Sequence, residues 1–371
     1  MTRTIPFFNY PALFAQEELE LMPLIHDVLR RGAYIMQKDL LQFEANLAAY
    51  LGVRHVIGVA DGTVALMMGL RAAGIGAGDE VIVPSHTFVA SAAAIHHVGA
   101  VPVLADCGAD HLLDAASVQR KIGPRTRGIM PVQLNGRTAN MDGIVALASE
   151  HELIIVEDSA QALGSRFKGK PAGTFGAAGT CSFYPSKTLG CFGDGGAVFT
   201  DDDDIAERLR LLRDHGRASS GDVITWGYNS RLDNLQAAIL DFKLARYGAA
   251  IAKRRHLASI YQQRLGSISA IQLPPGPEAD PDHFDIYQNY EVEAERRDEL
   301  RAYLEAHGVK TIIQWGGKTL HQFPALALNT DVPRTEAMTR RFFLLPLHAA
   351  LSDDDAHYIC DQVAAFYQHP I

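Results

Sequence analysis

Seven short runs rich in β-branched and apolar residues recur between positions 56 and 200, most of them separated by stretches of helical periodicity. They are Val56–Val59, Glu80–Val83, Val101–Leu104, Gly128–Val132, Leu153–Val156, Thr180–Phe183 and Ala197–Thr200. Several are apolar without a break, as strands buried on both faces are, and alternation of strands with helices builds a largely parallel sheet. The expected fold class is therefore α/β. At 371 residues the chain is too long for one small core, which favours a large domain with a smaller companion.

Before the first strand, apolar positions from Glu17 to Leu51 recur every three or four residues, which predicts helix. After the last, Asp233 to His256 reads as one long helix leaving the large domain. A boundary between Tyr247 and Arg254 divides the chain into 1–250, with the large domain, and 251–371, a small α+β domain. The proline-rich stretch from Leu273 to Pro281 is a loop, since proline joins neither a helix interior nor a ladder. Asp201 to Asp204 reads as a solvated helix start or turn.

A net charge of −9 argues against a nucleic-acid footprint, which needs clustered lysine and arginine. Cys107, Cys181, Cys191 and Cys360 are sparse and lack CxxC spacing, so they read as reduced thiols of a cytoplasmic protein with no metal site. The start, Met-Thr-Arg-Thr-Ile-Pro, has no basic region followed by an apolar core, so no signal peptide is expected. The longest apolar candidate for a membrane span, Val89 to Ala105, is interrupted by His96 and His97 and is shorter than the ~20 residues a bilayer requires.

Three elements carry chemistry. Leu153-Ile-Ile-Val-Glu-Asp-Ser places Asp158 at the carboxyl end of a buried strand, where parallel-sheet proteins bind ligands; the same aspartate is also a natural helix cap. Thr180-Cys-Ser-Phe-Tyr-Pro-Ser-Lys delivers Lys187 just past another strand, in an apolar and glycine-rich setting where a lowered lysine pKa is reasonable. Ala60-Asp-Gly-Thr turns a strand directly into a helix, and the free N–H groups of a helix start suit a phosphate. GxGxxG spacing after a strand and a P-loop are both absent. A lysine, an aspartate and a phosphate cradle together meet the needs of pyridoxal phosphate.

Five ordered segments extend this reading: Asp61-Gly-Thr-Val-Ala-Leu, Val83-Pro-Ser-His-Thr-Phe-Val-Ala, Val156-Glu-Asp-Ser-Ala-Gln-Ala, Ser182-Phe-Tyr-Pro-Ser-Lys, and Gly227 to Leu240. On them the chain resembles the DegT/DnrJ/EryC1/StrS family of sugar aminotransferases, of the aspartate aminotransferase-like fold type I. The resemblance implies a mainly parallel seven-stranded sheet and pyridoxal phosphate as cofactor, alternating with its pyridoxamine form. It implies Lys187 as the Schiff-base lysine and proton shuttle, with Asp158 facing the pyridine nitrogen. Gly62, Thr63 and Ser182 would hold the phosphate, Phe88 would stack on the ring and Gln161 would sit beside the ring hydroxyl. For Phe88, plain core packing is the competing reading.

Asn229 matches an asparagine that reaches the neighbouring subunit's phosphate, which implies a homodimer with active sites at the subunit interface. His86, Tyr184, His215, Arg231, Trp315, Lys318 and His321 match positions near the substrate. Two departures stand out. Asp61 replaces a smaller or neutral residue and is expected to cap the helix, and Gln314 to His321 replaces a common tyrosine- and proline-bearing pattern.

The implied reaction moves an amino group from an amino acid, L-glutamate, to a nucleotide-linked 3-keto or 4-keto sugar. Such chemistry serves amino-sugar biosynthesis for lipopolysaccharide O-antigen or a natural product. The rival readings are a sugar dehydratase of the same fold, which has histidine in place of the lysine, an aminotransferase for another small-molecule ketone, and a cofactor-binding regulatory protein without turnover.

Overall fold

The computed structural model describes residues 3–368; the first two residues of the start expected to carry no signal peptide lie outside that span. The chain runs α1 (Tyr10–Arg31), α2 (Lys38–Leu51), β1 (His55–Val59), α3 (Gly62–Ala72), β2 (Glu80–Pro84), α4 (Val89–His97), β3 (Val101–Ala105), α5 (Ala115–Lys121), β4 (Thr126–Ile129), α6 (Met141–Glu150) and β5 (Ile154–Asp158). A hairpin, β6 (Arg166–Phe167) and β7 (Lys170–Pro171), precedes β8 (Ala178–Ser182), β9 (Gly196–Thr200) and α7 (Asp203–Arg213). The carboxyl-terminal part holds α8 (Asn234–Leu244), α9 (Tyr247–Leu265), β10 (Ile271–Gln272), β11 (His283–Phe284), β12 (Tyr290–Ala294), α10 (Arg297–Ala306), α11 (Pro333–Thr339), β13 (Phe342–Leu345) and α12 (Asp353–Gln368).

All seven expected strands form one sheet, in the order β1-β9-β8-β5-β4-β2-β3. Only β9 runs antiparallel to its neighbours, so the sheet is mainly parallel, as anticipated. Its strands are apolar because helices cover both faces; Val81, Ile82, Val83, Val156 and Val198 are fully buried in the main core, each such burial stabilising the fold by about 1.5–3 kcal/mol.

A second core lies under the three-stranded sheet β10-β12-β13, where Leu257, Tyr261, Tyr290, Phe343 and Val363 pack together. Ile5 joins this second core and bridges to Val309, so the amino-terminal segment packs with the carboxyl-terminal part.

One sequence expectation changes. The single helix from Asp233 to His256 is broken at Ala245–Arg246 into α8 and α9, and the division at 250/251 falls inside α9. The acidic run does start a helix: the Asp202 carboxylate accepts from Asp204 N and Ile205 N, both at 2.9 Å. Among the described residues, no helix is long and apolar enough to cross a membrane.

Candidate active site

The parallel strands β1, β5 and β8 end on the same edge of the sheet, and each delivers one group. After β1, Asp61 caps α3: its Oδ1 accepts from Val64 N at 2.9 Å. The capping reading of Asp61 therefore holds, and the carboxylate is committed to its own helix. The N–H groups of Gly62 and Thr63, at the free helix start, have no acceptor among the described residues, as a phosphate site requires.

The backbone here is tight. A Cβ on Gly62 would lie 2.8 Å from Ser182 Cβ, and one on Gly196 would lie 2.5 Å from the carbonyl of Asp61. Gly62 and Ser182 thus meet at a close approach that only glycine's missing side chain allows, with Thr63 next in the same helix start.

At the end of β5, Asp158 is buried. Its Oδ2 accepts from Ser91 Oγ at 2.7 Å and its Oδ1 from Ala160 N at 3.1 Å. No arginine or lysine forms a salt bridge with it among the described residues, so its charge is available to a cationic ligand atom. Past β8, Lys187 is held in a tight turn by its N–H bond to Tyr184 O at 2.8 Å. Burial pushes its ammonium pKa below the ordinary lysine value, and the charge on Asp158 pulls part of the way back. The amine is thereby shifted toward its neutral, nucleophilic form while remaining within electrostatic reach of Asp158.

Phe88, at the start of α4, is 53% exposed. That removes the core-packing reading and leaves an aromatic face free to stack. Gln161 is fixed through its carbonyl, which accepts from Asn135 N at 2.9 Å and Asn289 Nδ2 at 3.1 Å. These residues fit pyridoxal phosphate: a phosphate cradle, a carboxylate for a protonated ring nitrogen, an amine of lowered pKa and an aromatic lid.

A family model for the DegT/DnrJ/EryC1/StrS aminotransferases matches residues 15–364. The chain belongs to that family. It is a pyridoxal-phosphate-dependent transaminase of the aspartate aminotransferase-like fold. It is 41% identical to the dTDP-3-amino-3,4,6-trideoxy-alpha-D-glucose transaminase of Streptomyces venezuelae, over 98% of this chain and 96% of the relative. The crystal structure of S. venezuelae DesV in complex with a ketimine intermediate superposes with a TM-score of 0.95 at 40% identity, covering 100% of both chains. The chain is also 35% identical to a protein of Geobacillus stearothermophilus named a pleiotropic regulatory protein, over 98% of this chain and 99% of the relative.

The residues that the family resemblance placed near the substrate divide into groups. Tyr184 and His215 are exposed, and so is Asn229, which lies on the segment that pairs with Asp214. Arg231 donates to Asp214 Oδ1 at 3.1 Å. Lys318 is exposed and sits over the Phe323 ring at 5.6 Å. His321 is tied at both nitrogens, to Thr319 Oγ1 at 2.5 Å and Glu336 Oε1 at 2.7 Å.

His86 is enclosed by protein side chains. It is 1% exposed, packs edge-on against Trp315 and Phe342 with ring centres 5.1 and 5.0 Å away, and lies 3.3 Å from Glu291 Oε1. It ties the segment after β2 to β12.

Around Glu291 the structure gathers charge that the sequence did not signal. His111 bridges Glu291 Oε1 at 2.6 Å and Glu293 Oε1 at 3.0 Å. Burial alone would raise the Glu291 pKa, but His86 and His111 bring it down to about 2. Burial would lower that of His111, but the two carboxylates raise it to about 9. His86, His111 and Glu291 form the one group of three potential metal ligands among the described residues. The 2.6 Å contact is too short for two ligands of one zinc ion, which bonds of about 2.0–2.1 Å hold about 3.3 Å apart in a tetrahedron. The cluster is a buried ion pair sharing protons.

Ser91, Asn135, Gln288 and Asn289 also escape the sequence reading, because their partners are remote in the chain. Only Asn135-Gly136 carries a local signal, that of a turn.

Proposed function

We propose that the protein transfers an amino group from L-glutamate to a nucleotide-linked keto-deoxysugar, with the 3-keto position of a dTDP-sugar as the first candidate and a 4-keto sugar as the second. The observation that carries the proposal is the pairing of Lys187, its pKa lowered by burial, with an Asp158 that forms no salt bridge among the described residues. The substrate class follows from the dTDP-sugar transaminase that is 41% identical over nearly the whole chain.

Pyridoxal phosphate, when bound, supplies an electrophilic carbon and an electron sink. Asp158 would face the pyridine nitrogen and favour its protonated form, and Ser91 holds the Asp158 carboxylate in place. The Gly62 and Thr63 N–H groups and the Ser182 hydroxyl hold the phosphate. Phe88 covers one ring face, and the Gln161 amide donates to the ring oxygen. Lys187 would hold and move the proton at the substrate carbon, a general acid–base role that a lowered pKa favours. Asn229 reaches the phosphate bound by a second copy, making a homodimer with shared sites. Tyr184, His215, Arg231, Trp315 and Lys318 border the sugar nucleotide. The setting is cytoplasmic synthesis of an amino sugar for a surface polysaccharide or a natural product.

The regulatory name of one relative keeps a second reading in view, a cofactor-binding regulator without turnover. The retained lysine, carboxylate and cradle support turnover. The deciding experiment incubates the loaded protein with glutamate and a panel of dTDP-, UDP- and GDP-linked 3-keto and 4-keto sugars, with products read by mass and NMR. Amination of one member with stoichiometric 2-oxoglutarate is the expected result; cofactor spectra without 2-oxoglutarate from any sugar favour the regulator.

A further inference from the structure

Two adjacent side chains in the turn before β12 end on two different groups of the site. Gln288 Oε1 accepts from Thr188 N at 2.6 Å and Thr188 Oγ1 at 2.7 Å, while its Nε2 donates to Ser186 O at 2.7 Å. One buried amide therefore grips the chain on both sides of Lys187. Asn289 Nδ2 donates to Gln161 Oε1 at 3.1 Å and to Asn135 Oδ1 at 2.9 Å. Because Asn135 N donates to the same Gln161 oxygen, that oxygen is doubly occupied. The Gln161 amide then has one favoured orientation, with Nε2 left over as the outward donor.

The dipeptide is itself braced. Arg254 is buried and donates through Nη1 to the carbonyls of Tyr287 at 3.0 Å, Gln288 at 3.1 Å and Leu347 at 2.9 Å. Tyr287 adopts a φ of 51°, in the left-handed region that a bulky residue seldom occupies. Gly136 allows the close approach, since a Cβ there would lie 2.5 Å from Gln288 N. A strained tyrosine, a glycine without room for a methyl group and an arginine committed to backbone carbonyls fix where both side chains begin.

We infer that Gln288 and Asn289 are positioning residues through which the carboxyl-terminal part sets Lys187 and the Gln161 amide in a single frame. The proton-carrying amine and the hydrogen bond to the ring oxygen are then aligned together. Neither residue is catalytic, because each acts through another. The inference rests on the roles given to Lys187 and Gln161 under the proposed function.

The test is a pH titration of the visible absorbance of the cofactor-loaded protein. An N–H donor on the ring oxygen favours the ionised oxygen, so losing it raises the midpoint. Gln161→Ala should raise the midpoint by roughly one unit. Asn289→Ala should raise it about half as far, and should add nothing on top of Gln161→Ala. Asn289→Asp, which keeps the shape but cannot donate, should raise it at least as much as Asn289→Ala. An unmoved midpoint in both Asn289 variants, with Gln161→Ala shifted, overturns the inference and leaves the role of Gln161 standing. An unmoved midpoint in Gln161→Ala refutes that role, and the Asn289 half of the inference with it.

Gln288 is tested by kinetics. Gln288→Ala should lower kcat by about tenfold with the glutamate KM within about twofold, and should enlarge the isotope effect with α-deuterated glutamate. Gln288→Glu, which keeps the acceptor for Thr188, should show a smaller loss and stands in if the alanine variant does not fold. An unchanged kcat and isotope effect in the folded variant overturns the Gln288 half.

Discussion

Ser91 Oγ donates a 2.7 Å hydrogen bond to Oδ2 of Asp158, joining the helix that follows Phe88 to the carboxylate at the end of β5. Thr87 Oγ1 lies 2.8 Å from the same hydroxyl, so a short chain of polar groups ends on the carboxylate. Ser91→Ala leaves Asp158 with a single backbone donor inside a buried pocket. Faster cofactor release and a kcat about tenfold lower are expected. Stopped-flow absorbance and steady-state assays check this, and wild-type cofactor retention would count against it.

The His111–Glu291 pair gives stability a defined pH window. The His111 pKa is raised to about 9 from an ordinary 6.5, so its contribution is complete below about 6.5 and is lost as pH rises through 9. The Glu291 pKa is lowered to about 2 from 4.5, so its contribution is complete above about 4.5 and is lost as pH falls through 2. The advantage of wild type over Glu291→Gln should therefore be greatest between about pH 4.5 and 6.5, at roughly 3 kcal/mol. Denaturant unfolding across the pH range measures it, and an advantage that keeps growing above pH 9 contradicts the assignment.

Gly62→Ala places a methyl group where Ser182 Cβ is 2.8 Å away. The two segments must separate, and the phosphate cradle with them. Cofactor affinity should fall by about ten- to a hundredfold, with the apoprotein still folded; equilibrium titration with pyridoxal phosphate reads the first and circular dichroism the second. Unaltered affinity would show that the phosphate binds elsewhere.

The loop before Asn229 exposes Val223 (66%), Ile224 (63%) and Trp226 (85%). Apolar side chains grouped on such a surface mark an interaction face, in keeping with the proposed dimer. Replacing Ile224 and Trp226 with aspartate should give a monomer by light scattering and lower activity by about a hundredfold or more. A dimeric, active double variant would remove this loop from the interface.

The seven strands are legible in the sequence because each is a short β-branched run between helical stretches, and Asp158 and Lys187 because one closes such a strand and the other comes just past one. The break at Ala245–Arg246 is not legible. No glycine or proline marks it, and the start of α9 is set from outside by Tyr247, whose hydroxyl donates to Leu163 O at 2.6 Å. Ser91, Gln288 and Asn289 are hidden for the same reason, since their partners lie 67, 100 and 128 residues away. The setting of His86 is hidden too: the carboxylate and aromatic rings that enclose it come from β12, β13 and the Trp315 turn.

The identity of the lysine that takes the cofactor decides most of this account. Borohydride reduction of the cofactor-loaded protein, followed by proteolysis and mass mapping, fixes the pyridoxyl group on the residue that held it. The prediction is a single modified site at Lys187, lost in Lys187→Ala together with turnover. A pyridoxyl group on any other lysine, or full turnover by the loaded Lys187→Ala protein, would contradict it.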